Sequence, residues 1–364
     1  MYINGKKFGI LLSVIGSVLA SAKDECGFVN TLLGKSTSND CCNEGYPYIK
    51  CSNNHITYIN LSGRKINKEL PKTFGSMKKL VSLNLSNTGI YGSIPSDLEN
   101  LESLVEFNLG YNEITEIPDN IDSLKHLKIL NVTHNKIKSY QKNTNNLKVL
   151  TDLDLSNNEI EDEILGDISN GILRVLNLSN NNISGSIPES LYNITSLVDI
   201  NLSNNIIDGS IMEDISKITN LRNLDLGNNR LSGDIPTESF EKLKNMAHLN
   251  LEKNIGLSGK IPSITYDSIF YTCKFTDTNL CYSNKKNTNC EYSSYRCDDC
   301  KENAQYDGSM CKCKENYTGL GYILCSESED TNLNKGSESG SLARISFSTF
   351  IISSLILIVS YLLI

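Results

Sequence analysis

The 364-residue sequence has no tryptophan, only four histidines and an apolar share of 39%. A single large core needs more apolar side chains than that, whereas a stack of small units, each burying one narrow inner face, manages with fewer. Lysine and arginine are scattered through a chain of net charge −8. No basic stripe interleaved with aromatics is present, which argues against nucleic acid as a partner. His55, His126, His134 and His248 form no H-E-x-x-H pair and no nucleophile motif, and neither a phosphate loop nor a serine elbow occurs. These absences point to binding rather than catalysis, so the chain is read as no enzyme and as needing no cofactor.

Both ends carry targeting signals. Lys6 and Lys7 precede an apolar stretch from Phe8 to Leu19, and Ala20-Ser21-Ala22 supplies a small-x-small cleavage pattern. Residues 1–22 are therefore expected to be a signal peptide, since the apolar run is too short for a bilayer. An oxidising compartment then makes the even count of 12 cysteines a set of disulfides. From Ile345 to Ile364 no residue is charged, and Gly336, Ser337, Ser339, Gly340 and Ser341 come just before. That order matches a glycosylphosphatidylinositol signal; a retained transmembrane helix is the alternative. Either way the protein is expected on the outer face of the plasma membrane or cell surface.

Between the ends the pattern L-x-x-L-x-L-x-x-N recurs. It begins at Ile56, Leu80, Leu104, Leu127, Leu150, Leu173, Leu197, Leu221 and Met246, at spacings of 23 to 25 residues. The x-L-x segment alternates with period two, so each unit opens with a short strand that has one face inside. The closing Asn (Asn112, Asn135, Asn158, Asn181, Asn205, Asn229 and Asn254) is expected to turn inward and bond backbone groups at the bend; Arg64 and Thr88 hold that place in the first two units. Five units add G-x-I-P or a near form, at Gly92 to Pro95, Gly185 to Pro188, Gly209 to Met212, Gly233 to Pro236 and Gly259 to Pro262. Units three to five lack that glycine.

These motifs resemble the plant-type leucine-rich repeat of receptor ectodomains and polygalacturonase-inhibiting proteins, over Cys26 to about Leu280. The resemblance implies an α/β solenoid, a horseshoe whose parallel strands line the concave face. It also implies a disulfide cap at 23–55 that pairs Cys26 with Cys41 and Cys42 with Cys51. Nine repeats would occupy 56–270 and a cysteine-rich C-cap with a further module 271–325, followed by a polar stalk at 326–344 and the hydrophobic tail at 345–364. The run Cys311-Lys312-Cys313 through Tyr317, Gly319 and Gly321 to Cys325 resembles the second half of an EGF-like module. That likeness implies Cys290–Cys300, Cys297–Cys311 and Cys313–Cys325, leaving Cys273–Cys281. No acidic residue lies just before Cys290, so a calcium-binding version is not expected. Cys297-Asp298-Asp299-Cys300 has redox or zinc spacing, but with no second C-x-x-C it is read as structural.

The concave strand positions are polar to acidic, and such a surface is the usual binding face of a solenoid. Sequons at Asn60, Asn84, Asn131, Asn177, Asn182, Asn193, Asn201 and Asn316 invite N-glycans, although N-L-S is equally the repeat's own consensus. Glycans there would leave Asn223, Asp225, His248 and Asn250 as the largest open patch, flanked by Arg222 and Arg230. The sequence thus predicts a membrane-anchored recognition or adhesion protein for a protein or glycan ligand. An inhibitor of a secreted hydrolase and a co-receptor without its own signalling domain are the alternatives. Phospholipase treatment of intact cells is expected to release the protein. Retention with the tail peptide still detectable by mass spectrometry would favour the transmembrane helix.

Overall fold

The computed structural model describes residues 22–42, 46–140, 147–164, 172–262, 272–283 and 289–328. The expected signal peptide, apart from its last residue, and the hydrophobic tail lie outside them. Among the described residues no helix is long and apolar enough to cross a membrane.

The first element is the helix Ala22–Leu33. Phe28, Val29 and Leu32 are buried on it, and Phe28 packs against Phe74 of the first coil at 5.4 Å between ring centroids. An antiparallel pair follows, Ile49–Ser52 with His55–Asn60. Cys26 bonds Cys41 and Cys42 bonds Cys51, the arrangement that the resemblance implies. Glu25 is buried with its charge answered: one carboxylate oxygen accepts from the Ile56 amide at 2.7 Å and the other lies 2.7 Å from His55 Nδ1. These contacts cover the apolar end of the first coil.

From His55–Asn60 onward the main sheet is parallel. Its further strands are Ser82–Asn84, Glu106–Asn108, Ile129–Asn131, Asp152–Asp154, Val175–Asn177, Asp199–Asn201, Asn223–Asp225 and His248–Asn250. The register never slips between them: Asp199 faces Asn223 and Asn223 faces His248. Equivalent side chains therefore stack, and the central residue of each strand (Leu83, Phe107, Leu130 and so on to Leu249) is buried in one continuous core. This is a leucine-rich-repeat solenoid.

Three residues after the end of each strand from Ser82–Asn84 to His248–Asn250 comes a residue with positive φ, between 53° and 57°, at Asn87, Tyr111, His134, Asn157, Asn180, Asn204, Asn228 and Lys253. Asn tolerates that conformation best among non-glycine residues, which explains its frequency here. The next residue is the inward Asn. Asn205 shows the geometry. Its Nδ2 donates to the Leu178 carbonyl of the preceding coil at 3.0 Å and to the Leu202 carbonyl of its own coil at 3.0 Å, while its Oδ1 accepts from the Ile183 amide at 3.0 Å. Asn112, Asn135, Asn158, Asn181, Asn229 and Asn254 repeat it. An amide of this length offers two donor hydrogens and an acceptor at once. Thr88 substitutes in part, its hydroxyl donating to the Leu85 carbonyl, whereas Arg64 leaves the ladder and lies over the Tyr48 ring at 4.0 Å.

The opposite side carries single turns of helix, such as Ser96–Asn100, Glu189–Tyr192 and Glu213–Lys217, that drop Leu98, Leu191 and Ile215 into the core. Beside the main sheet Tyr91–Ser93 pairs with Glu113–Glu116, and further on a second parallel sheet forms from Ser232–Asp234, Gly256–Lys260, Asn279–Tyr282 and Tyr295–Arg296; next to Gly185 and Gly209 there are isolated bridges, Glu163 to Ser184 and Ser186 to Asp208. Gly233 and Gly259 take φ of 83° and 93° there, conformations that L side chains rarely adopt.

The C-terminal cysteines correct the expected pairing. The structure joins Cys273 to Cys290, Cys281 to Cys297 and Cys300 to Cys311; of the EGF-like set only Cys313–Cys325 is present. The reason is that the solenoid continues. Thr272–Lys274 and Cys290–Glu291 extend the main sheet in register, with Cys273 opposite Cys290. Asn279–Tyr282 and Tyr295–Arg296 extend the second sheet. Cys273 and Cys290 hold equivalent positions of successive coils, with Cα atoms 4.4 Å apart, and Cys281 reaches Cys297, two residues past its register partner Tyr295, at 4.9 Å. One disulfide thus staples each sheet. The sequence Cys273-Lys274-Phe275-Thr276-Asp277-Thr278 is a tenth coil with Cys in the leucine place and Thr278 in the ladder place, its hydroxyl donating to the Phe275 carbonyl at 2.6 Å.

Two hairpins close the end: Ala304–Tyr306 with Cys311–Cys313, and Tyr317–Leu320 with Leu324–Glu327. Tyr322, 1% exposed, docks them. Its hydroxyl accepts from the Gly259 amide and donates to the Asn279 carbonyl, both at 3.0 Å, and burial raises its pKa. Replacing Asn205 by Ala strands buried amide and carbonyl groups of two coils at about 1–3 kcal/mol each. Urea denaturation of Asn205→Ala is expected to show a loss of at least about 2 kcal/mol. Asn205→Thr, which copies the chemistry of Thr88 and Thr278, should recover part of it, and equal stability of the two variants would contradict the ladder's role.

Candidate functional site

The strand face presents two rows of side chains, one on each side of the buried central residue. The row after the central residue is committed to the fold. Asn60, Asn84, Asn108, Asn131, Asp154, Asn177, Asn201, Asp225 and Asn250 each accept, through Oδ1, from the backbone amide two residues on, at 3.0 to 3.2 Å. These are Asx turns, and they start the bend that the inward Asn completes. The frequent Asn-x-Ser of this chain therefore has a structural origin. At Asn177 and Asn201 the serine hydroxyl also donates to the same Oδ1, at 2.8 and 2.7 Å. Asn182, Asn193 and Asn316 are sequon residues outside this row, and all three are exposed.

The sequence-predicted patch is brought together, since Asn223–Asp225 and His248–Asn250 are neighbouring strands in register. Its four members differ in availability. Asn223 is exposed and its Nδ2 donates to Asp199; His248 Nδ1 lies 2.7 Å from the Thr272 hydroxyl. Asp225 is half-buried in its Asx turn, and Asn250 is buried, 7% exposed. Asn250 does not point into solvent as expected; the glycine at 227 leaves it room to lie flat, because a Cβ there would meet its Nδ2 at 2.7 Å.

An open groove lies beside the patch. It is lined by Ile172, Arg174, Ser196, Val198, Asn220, Arg222 and Asn245 and holds about 500 Å³. These residues come from the approach to four successive strands: Arg174, Val198 and Arg222 immediately precede a strand, and Ile172, Ser196, Asn220 and Asn245 stand three places before one. Backbone bonds fix the row: Val198 N–H donates to the Arg174 carbonyl, Arg222 N–H to the Val198 carbonyl and Ala247 N–H to the Arg222 carbonyl, at 2.8, 2.8 and 2.6 Å. Ser196, Asn220 and Asn245 are held by donating to the carbonyls of Leu173, Thr195 and Thr219. Arg222 belongs to this groove. Arg230 is not among its lining residues. Sequence reasoning missed Arg174, although aligning the second repeat position (Lys128, Thr151, Arg174, Val198, Arg222) would have shown two arginines two coils apart.

The histidines occupy separate places. His55 meets Glu25, His134 stacks on Tyr111 at 4.1 Å between centroids, and His248 meets Thr272. Cys297 and Cys300 bond different partners, so Cys297-Asp298-Asp299-Cys300 is not a redox pair. Among the described residues, the one group with metal-ligand spacing is Cys26, Cys41 and Cys42, whose sulfurs are all in disulfides.

Comparison with known proteins agrees with this architecture. Two leucine-rich-repeat family models match the chain, one at residues 79–101, 173–194 and 220–243 and the other at 123–139 and 146–169. The plant peptide hormone receptor RGFR1, solved in complex with RGF2, is 29% identical with a TM-score of 0.56, over 62% of this chain and 38% of that one. The Arabidopsis receptor kinase HAESA, solved with the peptide hormone IDA and the co-receptor SERK1, is 30% identical with a TM-score of 0.53, over 60% of this chain and 37% of that one. A plant ice-binding protein shares the fold at 22% identity and a TM-score of 0.58, over 72% of this chain and 88% of that one. The chain thus spans well under half the length of the two receptor chains. No curated protein sequence matches it.

The two rows predict opposite behaviour. Asn250→Ala removes an Asx turn from a buried site and should lower stability by about 1–2 kcal/mol in urea denaturation. Asn223→Ala, on the exposed row, should change it by no more than about 0.5 kcal/mol. The reverse order would show that the row after the central residue is free for ligands after all.

Proposed function

We propose that this chain is the ligand-binding ectodomain of an extracellular, cell-surface recognition protein whose ligand is a peptide or protein segment. The observation that carries this reading is the rigid in-register strand face with an open groove of about 500 Å³ along its approach side. Six disulfides at the two ends suit an oxidising exterior. Two of the similar solved structures are plant receptors bound to peptide hormones, which supports a peptide over a glycan. Attachment to the membrane is assigned to the tail at 345–364, as a glycosylphosphatidylinositol signal or a retained helix. Ser326 and Glu327 belong to the last hairpin, so the spacer that holds the solenoid clear of the surface is assigned to residues 329–344.

A randomised peptide library panned against cells that display the full chain tests this. Sequence-related peptides that compete with one another are the expected outcome. If no peptide is enriched while a glycan array yields a saturable binder, the ligand is a carbohydrate and the peptide reading falls.

A further inference from the structure

We infer that the Arg174–Arg222 groove holds an acidic peptide in an extended, polyproline-II-like conformation, with two carboxylates three residues apart and an apolar side chain between them. This rests on the peptide reading above and names the class of peptide.

Charge comes first. Among the described residues neither Arg174 nor Arg222 enters an ion pair, and both side chains are exposed. Asp199, next to Val198, accepts from Asn223 Nδ2, and Asp225, three residues after Arg222, accepts from the Gly227 amide in its Asx turn. Two free guanidiniums therefore face one groove on a molecule of net charge −8. Overall repulsion of an acidic peptide is screened beyond about 8 Å at physiological ionic strength, so the local pair decides. A guanidinium also grips a carboxylate through two parallel bonds, which an ammonium cannot do.

The side chain between the two arginines in their row is apolar. Val198 is half-buried midway between them, and Ile172 stands 40% exposed at the groove edge. An isolated exposed isoleucine needs no explanation, but one lining a groove beside unpaired arginines suits a ligand with an apolar residue between charges.

Spacing selects the backbone. Adjacent strands lie about 4.8 Å apart, so Arg174 and Arg222, two coils apart, begin about 9.6 Å apart. A β-strand brings side chains to one face every two residues, about 6.7 Å, which falls short. A polyproline II helix does so every three residues, about 9.3 Å, which matches. The ligand runs along the solenoid axis, with the unpaired carbonyls of such a helix open to water.

The probe is a fluorescent, acetylated and amidated peptide of sequence Pro-Pro-Glu-Pro-Leu-Glu-Pro-Pro, titrated by anisotropy into the full-length protein in detergent. Its amidated end removes the terminal carboxylate, and a free-acid form serves as the second arm. The expected result is saturable binding that weakens at least tenfold in Arg174→Gln and in Arg222→Gln. Arg230→Gln should leave it unchanged. Arg222→Lys should bind between wild type and Arg222→Gln. Moving the two glutamates to adjacent places, or replacing both by glutamine, should weaken binding by a similar factor. Unaltered thermal melting of the variants shows that the fold is kept. Equal binding of the glutamine peptide, or undiminished binding by both arginine variants, overturns the groove assignment. Binding by the free-acid form alone reassigns the site to a terminal carboxylate and overturns the three-residue spacing. Library-selected peptides that keep their affinity on both variants would leave the peptide reading standing while the groove assignment falls.

Discussion

One side chain in each coil makes the rest of this structure possible. Where the chain leaves a strand and turns outward, its amides and carbonyls point into the stack and away from water. A single Asn, reaching into its own coil and the one before, answers groups from both. Left unanswered, those groups would oppose the leucine core at every turn. The ladder also fixes the rise from coil to coil, because each amide must reach two neighbouring turns at once. The unbroken strand register follows from that constraint, and so does the constant spacing of everything on the strand face.

Much of this is legible in the sequence because the constraint is local. The leucine places, the inward Asn and the N-terminal cap show in the letters, since each unit repeats the same physical problem. Beyond the ninth unit the same problem is solved with different letters. Cys273 and Cys290 take leucine's place and Thr278 takes asparagine's, so the motif disappears while the coil persists. Cysteine is small and apolar enough to sit in the core, and stacked cysteines meet. From the letters alone those residues therefore look like part of a separate module. The Asx row is hidden for a different reason. Alternation in a strand tells which side chains leave the core but not whether they are then free, and Asn250 leaves it only to be bound by its own backbone. The groove is illegible because it arises from side chains about 24 residues apart in sequence, none of them unusual alone.

Asn-x-Ser carries two meanings in this chain. As a turn, it uses the acceptor of the Asn side chain and leaves the amide nitrogen over; as a sequon, it offers that nitrogen for modification. The two do not exclude each other chemically, because they use different atoms. They differ in timing, since a sugar is added to the chain as it enters the secretory pathway, and the coil must then close around an amide already substituted. The exposed sequons at Asn182, Asn193 and Asn316 face no such demand.

The two stapled ends have a mechanical consequence. A stack whose units touch only their neighbours comes apart like a zipper, from whichever end frays first. Here the helix and two disulfides pin one end, and a disulfide in each sheet with the Tyr322-docked hairpins pins the other. Fraying from the tips is denied, so opening must begin inside. Among the described residues the interior is tied least between Glu113–Glu116 and Ser232–Asp234, where isolated bridges such as Glu163 to Ser184 stand beside the main sheet. A molecule exposed to proteases outside the cell would then persist by rate rather than by depth of the energy well. Its clock is set by a bubble in the middle of the stack, not by its ends.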